Sequence, residues 1–315
     1  MNLDNLKKLV GNTPFCLIKC KFQGRVRHVL AKLEWYNISG SIKDRVALYI
    51  IDKSYKNRAL AKGQKIVETT SGNMGIAFAC LGGLLSHPVT IIMPEWMSEE
   101  RKKLLKAYGA ELRLIKREEG GFLKGLEIAK TFKNCFLPLQ FENELNVMCH
   151  FETTGEEILK DLKRNKIVPS AFVAGVGTGG TLMGVGQKLK TQFKNIDIVA
   201  IEPKSSPTLK VGYKTGSHKI EGISDDFIPP IYEEQKVNKI FDVADEDAIY
   251  FAQKLAESGL GVGISSGANF YGALMHEDDF VVTTFADDNK KYLSTQLSTK
   301  INKNYNFEIL DIKIL

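Results

Sequence analysis

The chain lacks any apolar stretch long enough to cross a bilayer, any paired cysteine motif and any strong excess of one charge, and each absence removes a class of protein. None of its 315 residues falls in a run of the roughly 20 apolar residues a membrane helix needs. The N-terminal MNLDNLKKLVGN carries charges where a secretory leader needs an apolar core. The five cysteines, Cys16, Cys20, Cys80, Cys135 and Cys149, are an odd number with no CxxC spacing. Cys16 and Cys20 lie in a strand-like segment with no His or Cys pair near them, so buried thiols in a reducing cytoplasm are expected, with no metal. A net charge of +6 arises from 43 basic and 37 acidic residues spread along the chain. Basic tracts such as Arg101–Lys103 are interleaved with acids, which reads as solvated helix faces and argues against a nucleic-acid partner. Internal repeats and low-complexity linkers are also missing.

What is present is ordinary in bulk and specific in pattern. Hydrophobic content of 43% and charged content of 25% fit a soluble globular chain long enough for two domains. Short apolar runs alternate with amphipathic segments. Strands are expected at 29–33, 65–68, 89–93, 112–114, 171–174 and 198–201, with helices at 42–56, 75–85, 98–108, 121–132 and 181–190. This βα alternation implies an α/β fold of parallel sheet covered by helices on both faces. The tail from Thr299, TKINKNYNFEILDIKIL, reads either as an added strand or as an oligomer contact.

Four segments carry the chemistry. GVGTGGT (175–181) follows the apolar AFVA and precedes a helical stretch. Glycines there let successive N–H groups converge on a phosphate at a helix N-terminus, and Thr178 and Thr181 add hydroxyls. Lys43 follows the turn 37–40 at the start of a helix, where the dipole opposes an ammonium and favours a neutral amine or imine. TTSGNMG (69–75) lies between a strand and a helix, so its N–H groups, Thr70, Ser71 and Asn73 suit an oxyanion. GISSGA (263–268) places Ser265 and Ser266 at another helix start. Taken singly, each segment also reads as a surface lysine, a packing turn or an N-cap. Taken together, they point to pyridoxal phosphate held as a Schiff base.

With these motifs the chain resembles the cysteine synthase family, the O-acetylserine sulfhydrylases and the cystathionine β-synthase core, which are fold type II pyridoxal-phosphate enzymes. LVGNTP (9–14), KLEWYNISGSIKDR (32–45), ETTSGNMGIAFA (68–79), MPEWMSEERKKLLKAYGAEL (93–112), LQFEN (139–143), HFETTGEEI (150–158), HKIEGI (218–223) and KKYLST (290–295) correspond in order. The resemblance implies two open twisted sheet domains of the tryptophan synthase β type, with the cofactor in the cleft between them. Residues 1–36 with 146–315 would form the large domain, and 37–145 a small mobile one that binds the substrate carboxylate. It further implies that Lys43 binds the cofactor and moves the Cα proton, and that Gly177, Thr178, Gly179, Gly180 and Thr181 hold the phosphate. Asn73 would bond the ring oxygen and Ser265 would face the pyridine nitrogen. Thr70, Ser71, Asn73 and Gln140 would bind the carboxylate, with Thr69 close by. A neutral hydroxyl at the ring nitrogen stabilises a carbanion less than a carboxylate would, which favours loss of a β-leaving group through an aminoacrylate. A homodimer is implied by resemblance alone.

The chain departs from this family at 222–227. Where the family has G-I-G-A-G-F, Gly222, Ile223, Ser224, Asp225, Asp226 and Phe227 stand here. Consecutive side chains diverge, so one carboxylate, Asp225, is expected to enter the site. It would repel hydrosulfide and suit a neutral acceptor that must lose a proton, above all water. The expected reaction is then L-cysteine and water to L-serine and hydrogen sulfide. Ordinary O-acetylserine sulfhydrylation, β-elimination to pyruvate and an idle regulatory relative are the alternatives. The carboxylate pair could also sit at the cleft mouth and alter only surface charge. Met74 replaces a threonine common after the Asn73 position, which reshapes the substrate pocket.

Overall fold

A computed structural model describes residues 1–315 and contains two sheets. Numbered along the chain, the strands are β1 Phe15–Phe22, β2 Arg25–Leu33, β3 Lys65–Thr69, β4 Val89–Pro94, β5 Glu111–Ile115, β6 Cys135–Phe136, β7 Ala171–Gly175, β8 Asp197–Pro203, β9 Lys239–Val243, β10 Val281–Phe285 and β11 Phe307–Ile314. The larger sheet has the order β11-β1-β2-β10-β7-β8-β9 and the smaller β5-β4-β3-β6. The smaller sheet is parallel throughout, as is the larger from β2 to β9. Buried parallel strands need apolar or self-satisfied residues on both faces. β4 (VTIIMP) and β10 (VVTTF) are buried at every position.

Helices Asp245–Glu257 and Ile264–Met275 enclose a 29-residue core on one face of the larger sheet. Thr154–Arg164 and Gly180–Gln192 enclose a 20-residue core on the other. Lys43–Lys56 and Asn73–Leu85 cover one face of the smaller sheet.

The larger sheet departs from parallel pairing at one edge. β1 lies antiparallel between β2 and β11, so the tail forms an added strand. Tight β1–β2 reversal at Gln23 and Gly24, both at positive φ, leaves no room for the crossover that a parallel pair requires. All five cysteines are unpaired, and no helix is long and apolar enough to cross a membrane.

A buried ion network fixes the helix that starts at Lys43. Arg45 Nε and one terminal nitrogen bond both oxygens of Glu34 at 2.6 and 2.9 Å, and its guanidinium also grips Glu157 at 2.6 and 2.8 Å. Lys32 lies 3.0 Å from Glu157. Arg45, two residues beyond Lys43, therefore ties its helix to the turn that follows β2 and to the helix Thr154–Arg164. Ile42 N–H donates to the Ala286 carbonyl at 2.9 Å, which fastens the helix start to the end of β10.

Candidate active site

Two connected spaces open at the carboxyl ends of the parallel strands, the usual place for a ligand in an open α/β sheet. The inner recess has a volume of about 70 Å3 and receives Thr70 and Ser71 after β3, Gly177 to Gly179 after β7, and Ala286 after β10. A wider vestibule of about 540 Å3 adjoins it, and Ser71, Gly222, Ile223 and Asp225 line both.

Lys43 lines the recess with no ion-pair or hydrogen-bond partner for its side-chain nitrogen. Burial pulls its ammonium down to about 8, while Asp225 and Cys149 act in the opposite direction. Such an amine has a far larger neutral, nucleophilic fraction near physiological pH than an ordinary lysine.

The glycine turn fits a phosphate. Gly179 stands at φ 89° and the helix Gly180–Gln192 starts immediately after it. The N–H groups of Gly177, Thr178 and Gly179 have no acceptor within the chain. A Cβ on Gly177 would come 2.4 Å from the Gly222 carbonyl, and one on Gly180 would come 2.1 Å from Asn146 Oδ1. Asn146 holds the turn by donating to Thr178 Oγ1 and to the Gln140 carbonyl, both at 2.9 Å. Thr181 bonds buried His150 Nε2 at 3.2 Å, and burial keeps that imidazole well below its usual basicity.

Asn73 faces the recess with its amide oriented by two partners. Its Nδ2 donates to Asp287 at 2.8 Å and its Oδ1 accepts from Lys291 at 3.2 Å. Ser265 is 6% exposed with an uncommitted hydroxyl, whereas Ser266 accepts from Ala286 N–H at 3.0 Å. Thr70, Ser71 and Gln140 line the recess. Beneath them Glu68 accepts from the Thr69 N–H at 2.9 Å and the Gln140 N–H at 3.3 Å. Its carboxyl is pushed up to about 8 by burial.

Thr69 stands next to these residues, its carbonyl accepting from Gln140 Nε2 at 3.1 Å. Its hydroxyl donates to the Gly125 carbonyl at 2.9 Å and is absent from the recess lining, because alternation along β3 turns it toward the helix Gly121–Thr131. Gly180 also lies behind the lining, packed on Asn146. The neighbouring carboxylates part as alternate side chains do. Asp225 lines the recess, while Asp226 lines only the vestibule and pairs with Lys214. Burial, and secondarily Asp226, push the Asp225 carboxyl up to about 6 against the pull of Lys214 and Lys43.

Several site residues escape sequence reasoning. Asn269 bridges the ends of β7 and β10, accepting from Gly175 N–H at 2.7 Å and donating to the Thr284 carbonyl at 2.8 Å. Arg101 lines the recess, lies 4.6 Å over the Tyr292 ring and pairs with Glu221. In the sequence, Arg101 is one cation in a basic tract and Lys291 one of two adjacent lysines, with nothing local to mark them.

The family description "Pyridoxal-phosphate dependent enzyme" matches residues 6–287. A cysteine synthase of Staphylococcus aureus is 40% identical over 303 residues, covering 94% of this chain and 97% of its own. Among solved structures, a hydrogen sulfide-producing enzyme from Fusobacterium nucleatum is 46% identical with a TM-score of 0.93, each chain covered to 99%. An aspartate-to-asparagine mutant of that enzyme, solved in complex with an alpha-aminoacrylate intermediate, superposes with a TM-score of 0.94, again at 46% identity and 99% coverage of each chain. An O-ureido-L-serine synthase is 32% identical with a TM-score of 0.84, each chain covered to 96%.

Proposed function

The chain belongs to the pyridoxal-phosphate dependent enzymes of the cysteine synthase family, and from that premise we propose that it converts L-cysteine and water to L-serine and hydrogen sulfide. The observation that carries this reading is the Asp225 carboxylate in the recess that Lys43 also lines. The recovery of a reaction intermediate in an aspartate-to-asparagine mutant of the Fusobacterium enzyme supports it.

Bound pyridoxal phosphate supplies the electron sink that makes loss of the Cα proton and of the β-substituent accessible. Lys43 would hold the cofactor and take the Cα proton. The free N–H groups of Gly177 to Gly179, with Thr178 and Thr181, would hold its phosphate. Asn73 would donate to its ring oxygen, and Ser265 would meet its ring nitrogen with a neutral hydroxyl. Thr70, Ser71, Asn73 and Gln140 bind the substrate carboxylate. With hydrosulfide released, Asp225 would accept a proton from water as the water oxygen bonds to Cβ, Lys43 would return its proton to Cα, and the proton on Asp225 would pass to the departing hydrosulfide, so that serine and hydrogen sulfide account for every atom. A carboxylate there disfavours readdition of anionic hydrosulfide, since two like charges in a poorly solvated recess repel strongly.

Residues 37–145 serve in this reading as the closing unit. Ser98 Oγ donates to the Lys291 carbonyl at 2.9 Å and Glu100 takes both the N–H and the hydroxyl of Ser294, at 2.9 and 2.6 Å. These bonds clasp the helix Glu99–Ala107 to the far side of the cleft and shield the recess from bulk water. A homodimer in the cytoplasm completes the proposal.

The deciding experiment incubates cofactor-loaded protein with L-cysteine alone and quantifies sulfide, serine and pyruvate together. Sulfide matched by serine is expected. Sulfide matched by pyruvate would replace the proposal with β-elimination, and no sulfide would replace it with cysteine synthesis. The phosphate cradle has its own test. Gly180→Ala forces Asn146 off Thr178 and Gln140, and each buried hydrogen bond lost costs about 1–3 kcal/mol. Spectrophotometric titration with pyridoxal phosphate is expected to show at least about tenfold weaker binding, as about 1.4 kcal/mol corresponds to tenfold.

A further inference from the structure

Ser224, the residue before Asp225, stands at φ 53° in the left-handed region that side chains other than glycine rarely adopt. All of its polar groups are engaged. Its N–H donates to the Val176 carbonyl at 2.8 Å, immediately before the phosphate turn. Its hydroxyl lies 3.2 Å from the Ser206 carbonyl and 3.1 Å from Thr208 Oγ1, on two residues that are each 1% exposed. Its carbonyl lies 3.0 Å from His218 Nε2. A carbonyl only accepts, so His218 carries its proton on Nε2. Burial holds this imidazole below its usual basicity, which keeps it neutral in that tautomer.

The Ser224 carbonyl belongs to the peptide plane that leads into Asp225. A donor on that carbonyl and an anchored hydroxyl one residue earlier therefore fix the direction in which Asp225 leaves the backbone. Preceding Ile223 adds a third constraint, because it is 6% exposed and packs against Gly175, where a Cβ would come within 2.6 Å of it.

We propose that Ser224 and His218 are positioning residues for Asp225, aiming its carboxylate at the recess and acting on the reaction only through it. This inference rests on the reading of Asp225 as the base for water. It predicts a division between the two halves of the reaction, because sulfide leaves before Asp225 is needed.

The test mixes holoenzyme with L-cysteine in a single turnover and follows sulfide and serine separately. Ser224→Gly keeps the left-handed backbone without strain and loses the hydroxymethyl side chain with its two hydrogen-bond contacts. His218→Ala loses the donor to the carbonyl, and His218→Gln can restore it. Misplacing a reacting group by about 1 Å costs on the order of a hundredfold, so Ser224→Gly and His218→Ala are expected to slow serine formation by at least about tenfold. Sulfide release is expected to stay within about twofold, His218→Gln to recover most of the loss, and Ser224→Gly to add nothing in an Asp225→Asn background, as coupled residues are non-additive. Equal slowing of both halves, which a merely structural role would give, overturns the inference. So does unchanged serine formation in Ser224→Gly and His218→Ala while Asp225→Asn stalls. If Asp225→Asn itself forms serine at the normal rate, the reading of Asp225 is overturned and the positioning role falls with it.

Discussion

Asp225→Asn is expected to release sulfide from L-cysteine at close to the normal rate in the first turnover and to form serine about 10²–10⁴-fold more slowly, the range a lost general base costs. The substitution keeps the shape of the side chain and removes only its basicity, so binding and C–S cleavage are untouched. Rapid-quench analysis of serine together with sulfide measures both halves. The rate of serine formation should also depend on pH with a defined sign. Only the ionised carboxylate accepts a proton, and this carboxyl sits at about 6. The rate should therefore rise through that value and level off above it, and the asparagine variant should show no such limb. Lys214→Met should move the limb upward, because Lys214 is one of the cations holding the carboxyl down.

The same shift has a stability consequence. The folded state raises this carboxyl from an unfolded value near 3.8 to about 6, so it binds the proton more tightly than the unfolded chain does. Stability is lost as pH rises between those values, and the deficit stays constant above them. Each unit is worth about 1.4 kcal/mol, so the cofactor-free wild type should be roughly 2–3 kcal/mol less stable than Asp225→Asn at pH 7 and equal to it near pH 3. Urea unfolding at the two pH values tests this.

Arg45→Met is expected to destabilise the protein by about 3–5 kcal/mol at pH 7, as removal of one partner from a buried ion pair does. Glu34, which is fully buried, would keep only Thr13 and Asn37 as side-chain partners. Burial alone would raise Glu157, but Arg45 and Lys32 outweigh it and bring its carboxyl to about 2. A depressed carboxyl contributes stability above its unfolded value, and that contribution disappears as pH falls through the folded value. The wild type should thus lose stability between pH 4.5 and 2, and the variant should lose less, so the gap between them narrows in acid. Because Arg45 stands one half-turn beyond Lys43, the variant should also bind cofactor more weakly. Urea denaturation at pH 7 and pH 4, with cofactor titration, checks both effects.

The elements that carry the site were legible in the sequence because buried parallel strands and glycine-rich turns have local signatures. The run before GVGTGGT is apolar on both faces, the one before TTSGNMG has Ile66 and Val67 at its centre, and the glycines mark where backbone must approach a ligand. Other parts lacked such a signature. β10 contains Thr283 and Thr284, buried at 0% and 2%, whose polarity hides a strand; Thr283 satisfies its hydroxyl on the Val173 carbonyl at 2.7 Å. The partners of Asn73, Asp287 and Lys291, lie 214 and 218 residues away, a pairing no local pattern encodes. Thr69 was a matter of strand parity, since one residue along β3 separates a hydroxyl in the recess from one tied to Gly125. The divergence of Asp225 and Asp226 follows the same alternation, and Lys214 on the outer side completes it.

The position of β1 and β2 between β11 and β10 also sets the order in which the molecule can be built. The earliest strands to leave a ribosome find their partners among residues 281–314, so the larger sheet cannot close until those residues have been made. β3 to β6 lie within residues 65–136 and pair only with one another, so that sheet can assemble while synthesis continues. Pairings this distant in sequence are slow to form and leave strand edges open in the meantime. Nascent chains of this protein should therefore depend on chaperones through β1 and β2, and a pulse of limited proteolysis during translation should find residues 65–136 protected well before residues 15–33.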